Sequence, residues 1–112
     1  MMLELRRVIL FTLRMAELTA FYRDVVGLDV TGQEDGWVDF AAGGCGLALH
    51  AGKRTAGARI KVVFHAADVA AARAGLIHRG LADAGPVKST GAFDMCDCKD
   101  PDGNPFGLSS RA

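Results

Sequence analysis

The chain has 112 residues, half of them hydrophobic, and its acidic and basic side chains balance to a formal net charge of zero. This length fits one domain, the apolar content argues against disorder, and the lack of any block of like charges argues against nucleic-acid binding. No apolar run approaches the roughly 18 to 20 residues that span a bilayer, and three cysteines without a recognisable signal peptide predict a reducing, cytoplasmic location.

The first half of the chain predicts a strand, a helix and three further strands. The apolar-rich run of residues 3–13 has strand character. Apolar residues recur at helical spacing over residues 14–28, and Gly27 stands where a left-handed helix cap favours glycine. The turn sequences EDG and AGG separate three short predicted strands at 29–31, 37–41 and 46–50.

The second half repeats this order of elements. A strand is predicted over 58–66 and a helix over 68–81, with Asp68 as its N-cap and Gly80 at its end. Three strands follow, at 86–89, 93–98 and 104–109. The chain therefore reads as one domain made of two similar modules, at about 3–52 and 58–111.

Each module would cover one side of its sheet with its helix and leave the other side open. Two such modules can turn their open sides toward one another, which gives a curved, mixed sheet around a cleft. A cleft of this kind is where small ligands bind. The prediction is an α+β fold of two paired βαβββ modules.

Two motifs resemble those of the vicinal-oxygen-chelate superfamily. They are AFYRDVVGL at 20–28 and KDPDGNPFGL at 99–108. The superfamily includes glyoxalase I (lactoylglutathione lyase), bleomycin-resistance proteins and extradiol dioxygenases. The resemblance implies the paired-module fold named above, and also a homodimer, because members of this length are commonly dimers.

The resemblance also implies four positions for metal ligands. The family's metalloenzymes bind one divalent metal through side chains from the first and fourth strands of each module. Carried over to this chain, these positions fall on Arg7, Ala48 (or His50, one pleat further), Lys61 and Gly107. Arginine cannot lose its proton, lysine is protonated near neutral pH, and alanine and glycine carry no donor. The sequence therefore predicts no metal cofactor.

Arg7 and Lys61 would instead place two cations in the cleft. One interpretation is a binding site for the carboxylate or phosphate of a small molecule, since arginine suits a planar carboxylate. The alternative is that each cation pairs with an acid of the chain, such as Asp39 or Asp94, or reaches solvent.

Four more residues are candidates for contact with a ligand. For His50 the alternative is a polar strand end, and for Trp37 it is a core position. The two-residue period of a strand places Phe11 on the same face as Arg7, and His65 on the same face as Lys61. The candidates are Phe11, Trp37, His50 and His65.

Cys96 and Cys98 are two residues apart in a predicted strand, so both should face the same side of the sheet. They could bind a soft metal or form a redox pair. The alternative, which the isolated C-x-C pattern favours, is that they are small buried hydrophobic residues.

Together these observations predict a metal-free binding protein of the superfamily that holds a small molecule, which could be anionic, in its cleft. The alternative is a lyase, isomerase or dioxygenase that uses one divalent metal ion. Such an enzyme would need unusual ligands, such as His50, Asp39 or a cysteine. The sequence shows no catalytic nucleophile motif, phosphate loop or dinucleotide fingerprint.

Overall fold

The computed structural model describes residues 5–53 and 60–111. Contacts divide the chain into two compact units, Met1–Ala58 and Arg59–Ala112. Each unit contains a four-stranded sheet and a helix in the order βαβββ. The predicted α+β fold built from two such modules is thereby confirmed.

The first unit pairs its strands in the order β1-β4-β3-β2. Strand β1 is parallel to β4, whereas β4 with β3 and β3 with β2 are antiparallel. Its elements are β1 (Arg7–Thr12), α1 (Met15–Ala20), β2 (Asp29–Glu34), β3 (Trp37–Ala41) and β4 (Gly46–Ala51).

The second unit repeats this topology, with the strand order β5-β8-β7-β6 and a parallel pair of β5 with β8. Its elements are β5 (Val62–His65), α2 (Val69–His78), β6 (Asp83–Ser89), β7 (Asp94–Lys99) and β8 (Pro105–Ser109). Neither helix of the described residues has the length and the apolar character that a membrane span requires.

The predicted residues at the helix ends are confirmed, although both helices are shorter than predicted. Asp68 caps α2, because its side chain accepts a hydrogen bond from the Ala71 amide at 2.9 Å. Gly27 and Gly80 follow the two helices with φ values of +90° and +113°. Left-handed backbone of this kind favours glycine, which has no Cβ to clash.

The first helix departs from the prediction of one α-helix over 14–28. Only six residues are α-helical, and a π-helical turn, Phe21–Val25, follows them. Consecutive side chains of a π-helix are separated by a smaller angle than those of an α-helix. This geometry allows both Phe21 and Tyr22 to be buried, with 7% and 1% of their surface exposed.

Each sheet has two different sides. In the first unit, residues of β3 and β4 that face the helix are buried, and the Tyr22 ring lies 6.2 Å from the ring of Phe40. We call the opposite side of each sheet the far side. In the first unit it carries Arg7, Ile9, Phe11, Trp37, Asp39, Ala48 and His50.

In the second unit, α2 packs on β6, β7 and β8 through Val69 and Leu76. The buried side chains on the helix side of these strands belong to Cys96, Cys98, Phe106 and Leu108. Strand alternation places Lys61, Val63, His65, Asp97 and Gly107 on the far side.

The turn before β8 is built around Asp100, which is 5% exposed. One of its oxygens accepts hydrogen bonds from the amides of Asp102 and Asn104, each at 2.9 Å. The other accepts a bond from the Asn104 side chain at 2.8 Å. The Asp-Pro-Asp-Gly motif therefore fixes the start of the strand that carries Gly107.

Candidate functional site

An ion pair crosses the far side of the first sheet. Arg7 on β1 donates its Nε–H to Asp39 on β3 at 3.0 Å, and Trp37 donates its indole N–H to the other Asp39 oxygen at 2.6 Å. Strand β4 lies between β1 and β3, and its residue opposite Asp39 is Ala48. Because alanine is small, it leaves room for the two longer side chains to meet.

The second sheet carries the same arrangement. Lys61, which directly precedes β5, forms an ion pair with Asp97 on β7. The residue of β8 opposite Asp97 is Gly107. A Cβ atom added to Gly107 would lie 3.0 Å from Cε of Lys61, so the lysine side chain lies over the glycine. The hydrogen bond from Lys61 lowers the pKa of Asp97 below its ordinary value.

Each cation is paired with an acid of its own sheet, as the second interpretation expected, and contact of either cation with a ligand stays a prediction. Arg7 pairs with Asp39, which was one of the predicted partners. Lys61 pairs with Asp97, so the suggestion of Asp94 for this cation was wrong. The physical reason is register: Asp94 begins β7 opposite Ser89 of β6, whereas Asp97 lies opposite Gly107, beside Lys61.

Three rings form a row across the first sheet. Phe11, His50 and Trp37 occupy directly opposite positions on β1, β4 and β3. The His50 ring lies 5.1 Å from the Phe11 ring and 5.8 Å from the Trp37 ring, the latter edge-on. Phe11 is 42% exposed, so this row presents apolar surface rather than core.

The His50 ring has a defined hydrogen-bonding pattern. Its Nδ1 lies 2.7 Å from the Ala51 carbonyl oxygen. A carbonyl oxygen only accepts, so Nδ1 carries a proton, and in the neutral ring Nε2 is the acceptor. Within the described residues Nε2 has no hydrogen-bond partner.

The Arg7 guanidinium links the ion pair to the row of rings. Its central carbon lies 5.6 Å from the centre of the Trp37 ring, within the range of a cation–π contact. Among residues 5–53 and 60–111, only its Nε–H makes a hydrogen bond, and this bond goes to Asp39. The two terminal NH₂ groups therefore remain available as donors.

Each unit has a shallow depression beside its ion pair. The one in the first unit measures about 290 Å³ and is lined by Arg6, Arg7, Asp39 and the glycine-rich loop before β4. The one in the second unit measures about 300 Å³ and is lined in part by Lys61, Asp97 and Cys98.

The structure brings four of the six candidate ligand-binding residues together. Arg7, Phe11, Trp37 and His50 form one continuous patch on the first sheet. Lys61 and His65 lie on the far side of the second sheet, and His65 is exposed. That the candidates contact a ligand stays a prediction.

Sequence reasoning missed Asp97 as a partner of Lys61. A signal existed, because Asp97 lies in the strand before Gly107 just as Asp39 lies in the strand before Ala48. Arg6 was missed as well, since strand alternation alone does not place it beside the glycine-rich loop.

The donors present do not fit a divalent metal. Of the four positions implied by the resemblance, two hold cations that are already paired and two hold residues without a side-chain donor. Both oxygens of Asp39 are occupied by hydrogen bonds. In the part of the chain that the structure describes, no group of three or more His, Cys, Asp or Glu residues could bind a metal.

The two neighbouring cysteines face the same side of the sheet, as predicted. Their sulfur atoms are 3.8 Å apart, and both residues lie on the helix side of β7, at most 3% exposed. Burial, together with a hydrogen bond to Cys96, raises the pKa of Cys98 to about 12. These features favour the interpretation as buried hydrophobic residues.

Comparison with known proteins identifies relatives of this architecture. The sequence model of the Glyoxalase/Bleomycin resistance protein/Dioxygenase superfamily matches residues 4–108. No curated protein matched the sequence.

Solved structures with the same fold are similar over nearly the whole chain. TnmS3, an antibiotic binding protein from Streptomyces sp. CB03234, is 24% identical, with 96% of this chain and 94% of that chain covered and a TM-score of 0.82. A glyoxalase/bleomycin resistance protein/dioxygenase family enzyme from Burkholderia phytofirmans PsJN is 18% identical, with coverages of 96% and 98% and a TM-score of 0.82. A lactoylglutathione lyase from Agrobacterium tumefaciens is 20% identical, with coverages of 95% and 92% and a TM-score of 0.77.

Proposed function

Because this chain belongs to the Glyoxalase/Bleomycin resistance protein/Dioxygenase superfamily, we propose that it is a metal-free member that binds a small molecule. The proposed binding surface is the patch of Arg7, Phe11, Trp37 and His50 on the far side of the first sheet. Fold alone does not decide between the activities of a superfamily, so the proposal depends on the chemistry of this patch.

The observation that carries the proposal is the ion pair between Arg7 and Asp39. It occupies the sheet surface where the resemblance would place two metal ligands, on β1 and β4. A metal-dependent member needs about three protein ligands around its ion. Arg7 cannot become a ligand, and Ala48 offers no donor atom.

The exposed rings support binding rather than a purely structural role. A core aromatic residue is buried, as Phe40 is at 1% exposure, whereas Phe11 keeps 42% of its surface exposed. Apolar surface combined with a few fixed polar groups is typical of small-molecule sites. One solved relative of similar fold is described as an antibiotic binding protein, which is consistent with this proposal.

Metal analysis of the purified protein tests the metal-free assignment. The wild-type chain and His50→Ala would each be incubated with Zn²⁺, Ni²⁺, Mn²⁺ or Fe²⁺, desalted and measured by elemental mass spectrometry. We expect no stoichiometric metal in either protein. A stoichiometric ion in the wild type that is lost in His50→Ala would contradict the proposal and favour a metal-dependent lyase, isomerase or dioxygenase.

A homodimer and a cytoplasmic location are also proposed. The dimer is inferred from the resemblance, and the location from three cysteines that are all free thiols. Sedimentation equilibrium at several protein concentrations would test the dimer, which predicts twice the mass of one chain. A mass of a single chain at micromolar concentration would contradict it.

A further inference from the structure

We propose that the patch on the first sheet selects flat aromatic molecules that carry a carboxylate group. This inference rests on the proposed function and adds the chemical class of the ligand. It combines two properties of the patch: exposed ring surface, and hydrogen-bond donors of one arginine that the protein itself does not use.

The ring surface favours an aromatic partner over an aliphatic one. Phe11, His50 and Trp37 lie side by side on three neighbouring strands, with ring centres 5.1 and 5.8 Å apart. Aromatic rings attract one another beyond the effect of the area that they bury. A flat ring can lie on this row and contact more than one of its members.

The free polar atoms favour an acid over an amine. Arg7 uses Nε for Asp39 and leaves both terminal NH₂ groups without a partner in the described residues. These groups match the two oxygens of a carboxylate. A bound amine would need an acid such as Asp39 as its partner. Asp39 already accepts hydrogen bonds from Arg7 and from Trp37.

Arg7 and Asp39 also line the depression of about 290 Å³ beside the ion pair, whereas Phe11, Trp37 and His50 do not. The Arg7 end of the patch is therefore open to a ligand.

The single tryptophan of the chain provides a direct probe of this site. A ¹⁵N–¹H NMR spectrum contains one indole signal, from the Trp37 N–H that is bonded to Asp39. We would titrate the full chain with 1-naphthoate, cyclohexanecarboxylate and naphthalen-1-ylmethylamine, at constant pH. We expect 1-naphthoate to shift the indole signal saturably and to bind at least about tenfold more tightly than either control.

Variants separate the ring contribution from the charge contribution. In Arg7→Gln/Asp39→Asn both members of the ion pair are neutral, so no unpaired carboxylate remains. We expect this variant to weaken 1-naphthoate binding about tenfold or more, and Phe11→Ala to weaken it severalfold. Arg23→Gln removes a surface cation of the same unit, far along the chain from β1, and should leave binding unchanged.

The outcomes distinguish this inference from the proposed function. Equal or tighter binding of the amine or of the aliphatic acid at Trp37 would overturn the ligand class but keep a small-molecule site. Binding of 1-naphthoate that Arg7→Gln/Asp39→Asn leaves unchanged would also overturn it. If none of the three probes shifts the indole signal at millimolar concentration, the inference fails, while metal analysis still decides the metal-free assignment independently.

Discussion

Two small residues, Ala48 and Gly107, determine what the far side of each sheet can hold. Each occupies the strand between a cation and a carboxylate, and each leaves room for that ion pair to form. A larger side chain at either position would meet the ion pair. For Gly107 the neighbour is the flexible end of Lys61, which can move aside. These two residues matter because their small size leaves space for the ion pairs.

Gly→Ala substitutions test this distinction between flexible and rigid neighbours. A Cβ atom on Gly85 would lie 2.8 Å from the backbone oxygen of Asp97, which cannot move without disturbing the sheet. We expect Gly85→Ala to lower the free energy of unfolding by about 2 kcal/mol, in the range for overpacking. Gly107→Ala should cost less than about 1 kcal/mol, because Lys61 can adjust.

Urea denaturation of these variants measures the difference. Gly44→Ala is the matched control, since no atom lies within 4 Å of its added Cβ. Its stability should stay within about 0.5 kcal/mol of the wild type. If Gly85→Ala proved as stable as Gly44→Ala, this result would contradict the close approach of β6 to the Asp97 backbone of β7.

At the scale of elements, short-range signals in the sequence predict the order of the elements, whereas several predicted boundaries differ from the structure by three or more residues. Asp68 and the glycines after both helices act through their immediate neighbours, and the structure confirms them. The π-helical turn could not be predicted in this way. Burial of two consecutive aromatic residues against the sheet depends on the sheet itself, which is distant in sequence.

The turn before β8 offers a test at this scale. Asp100→Ala removes the acceptor of the Asp102 and Asn104 amides and of the Asn104 side chain, so we expect a loss of about 2–3 kcal/mol in unfolding free energy. Asp100→Asn keeps one side-chain oxygen as an acceptor and should lose less. Thermal and urea unfolding of both variants measures this order, and equal losses would contradict the role of the amide bonds.

At the scale of the whole molecule, stability should depend on pH through Asp97. The pKa of this carboxyl group lies below its ordinary value of 3.8, because Lys61 donates a hydrogen bond to it. A lowered pKa in the folded state stabilises the protein fully above about pH 4 and stops doing so as the pH falls through that lowered value. Both side chains of the Lys61–Asp97 pair are exposed to solvent. The contribution of the pair to the free energy of unfolding should therefore be at most about 1 kcal/mol.

Urea denaturation between pH 2.5 and 7 would measure this effect. We expect the wild type to be more stable than Asp97→Asn at pH 6 and the difference to shrink as the pH is lowered from about 4 to 2.5. High salt at pH 6 should reduce the same difference, because salt screens exposed ion pairs. A difference that stays constant over the whole pH range would contradict the assignment to the Lys61–Asp97 pair.

The sequence by itself determined the element order, the duplication and the membership of the superfamily. Hydrophobic period, caps and turn residues act locally, and the two motifs that resemble the family lie within the matched region, residues 4–108. The sequence also determined that no set of metal ligands comes from Arg7, Ala48, Lys61 and Gly107, because the chemistry of these residue types alone excludes it.

Only the tertiary structure decided which acid each cation meets and which rings share one surface. Asp97 rather than Asp94 pairs with Lys61 because strand register, set by pairing across the sheet, places it opposite Gly107. Phe11, His50 and Trp37 come from three strands that meet only when the sheet forms. Contacts between residues far apart in sequence depend on register and crossing order, and these are properties of the folded chain.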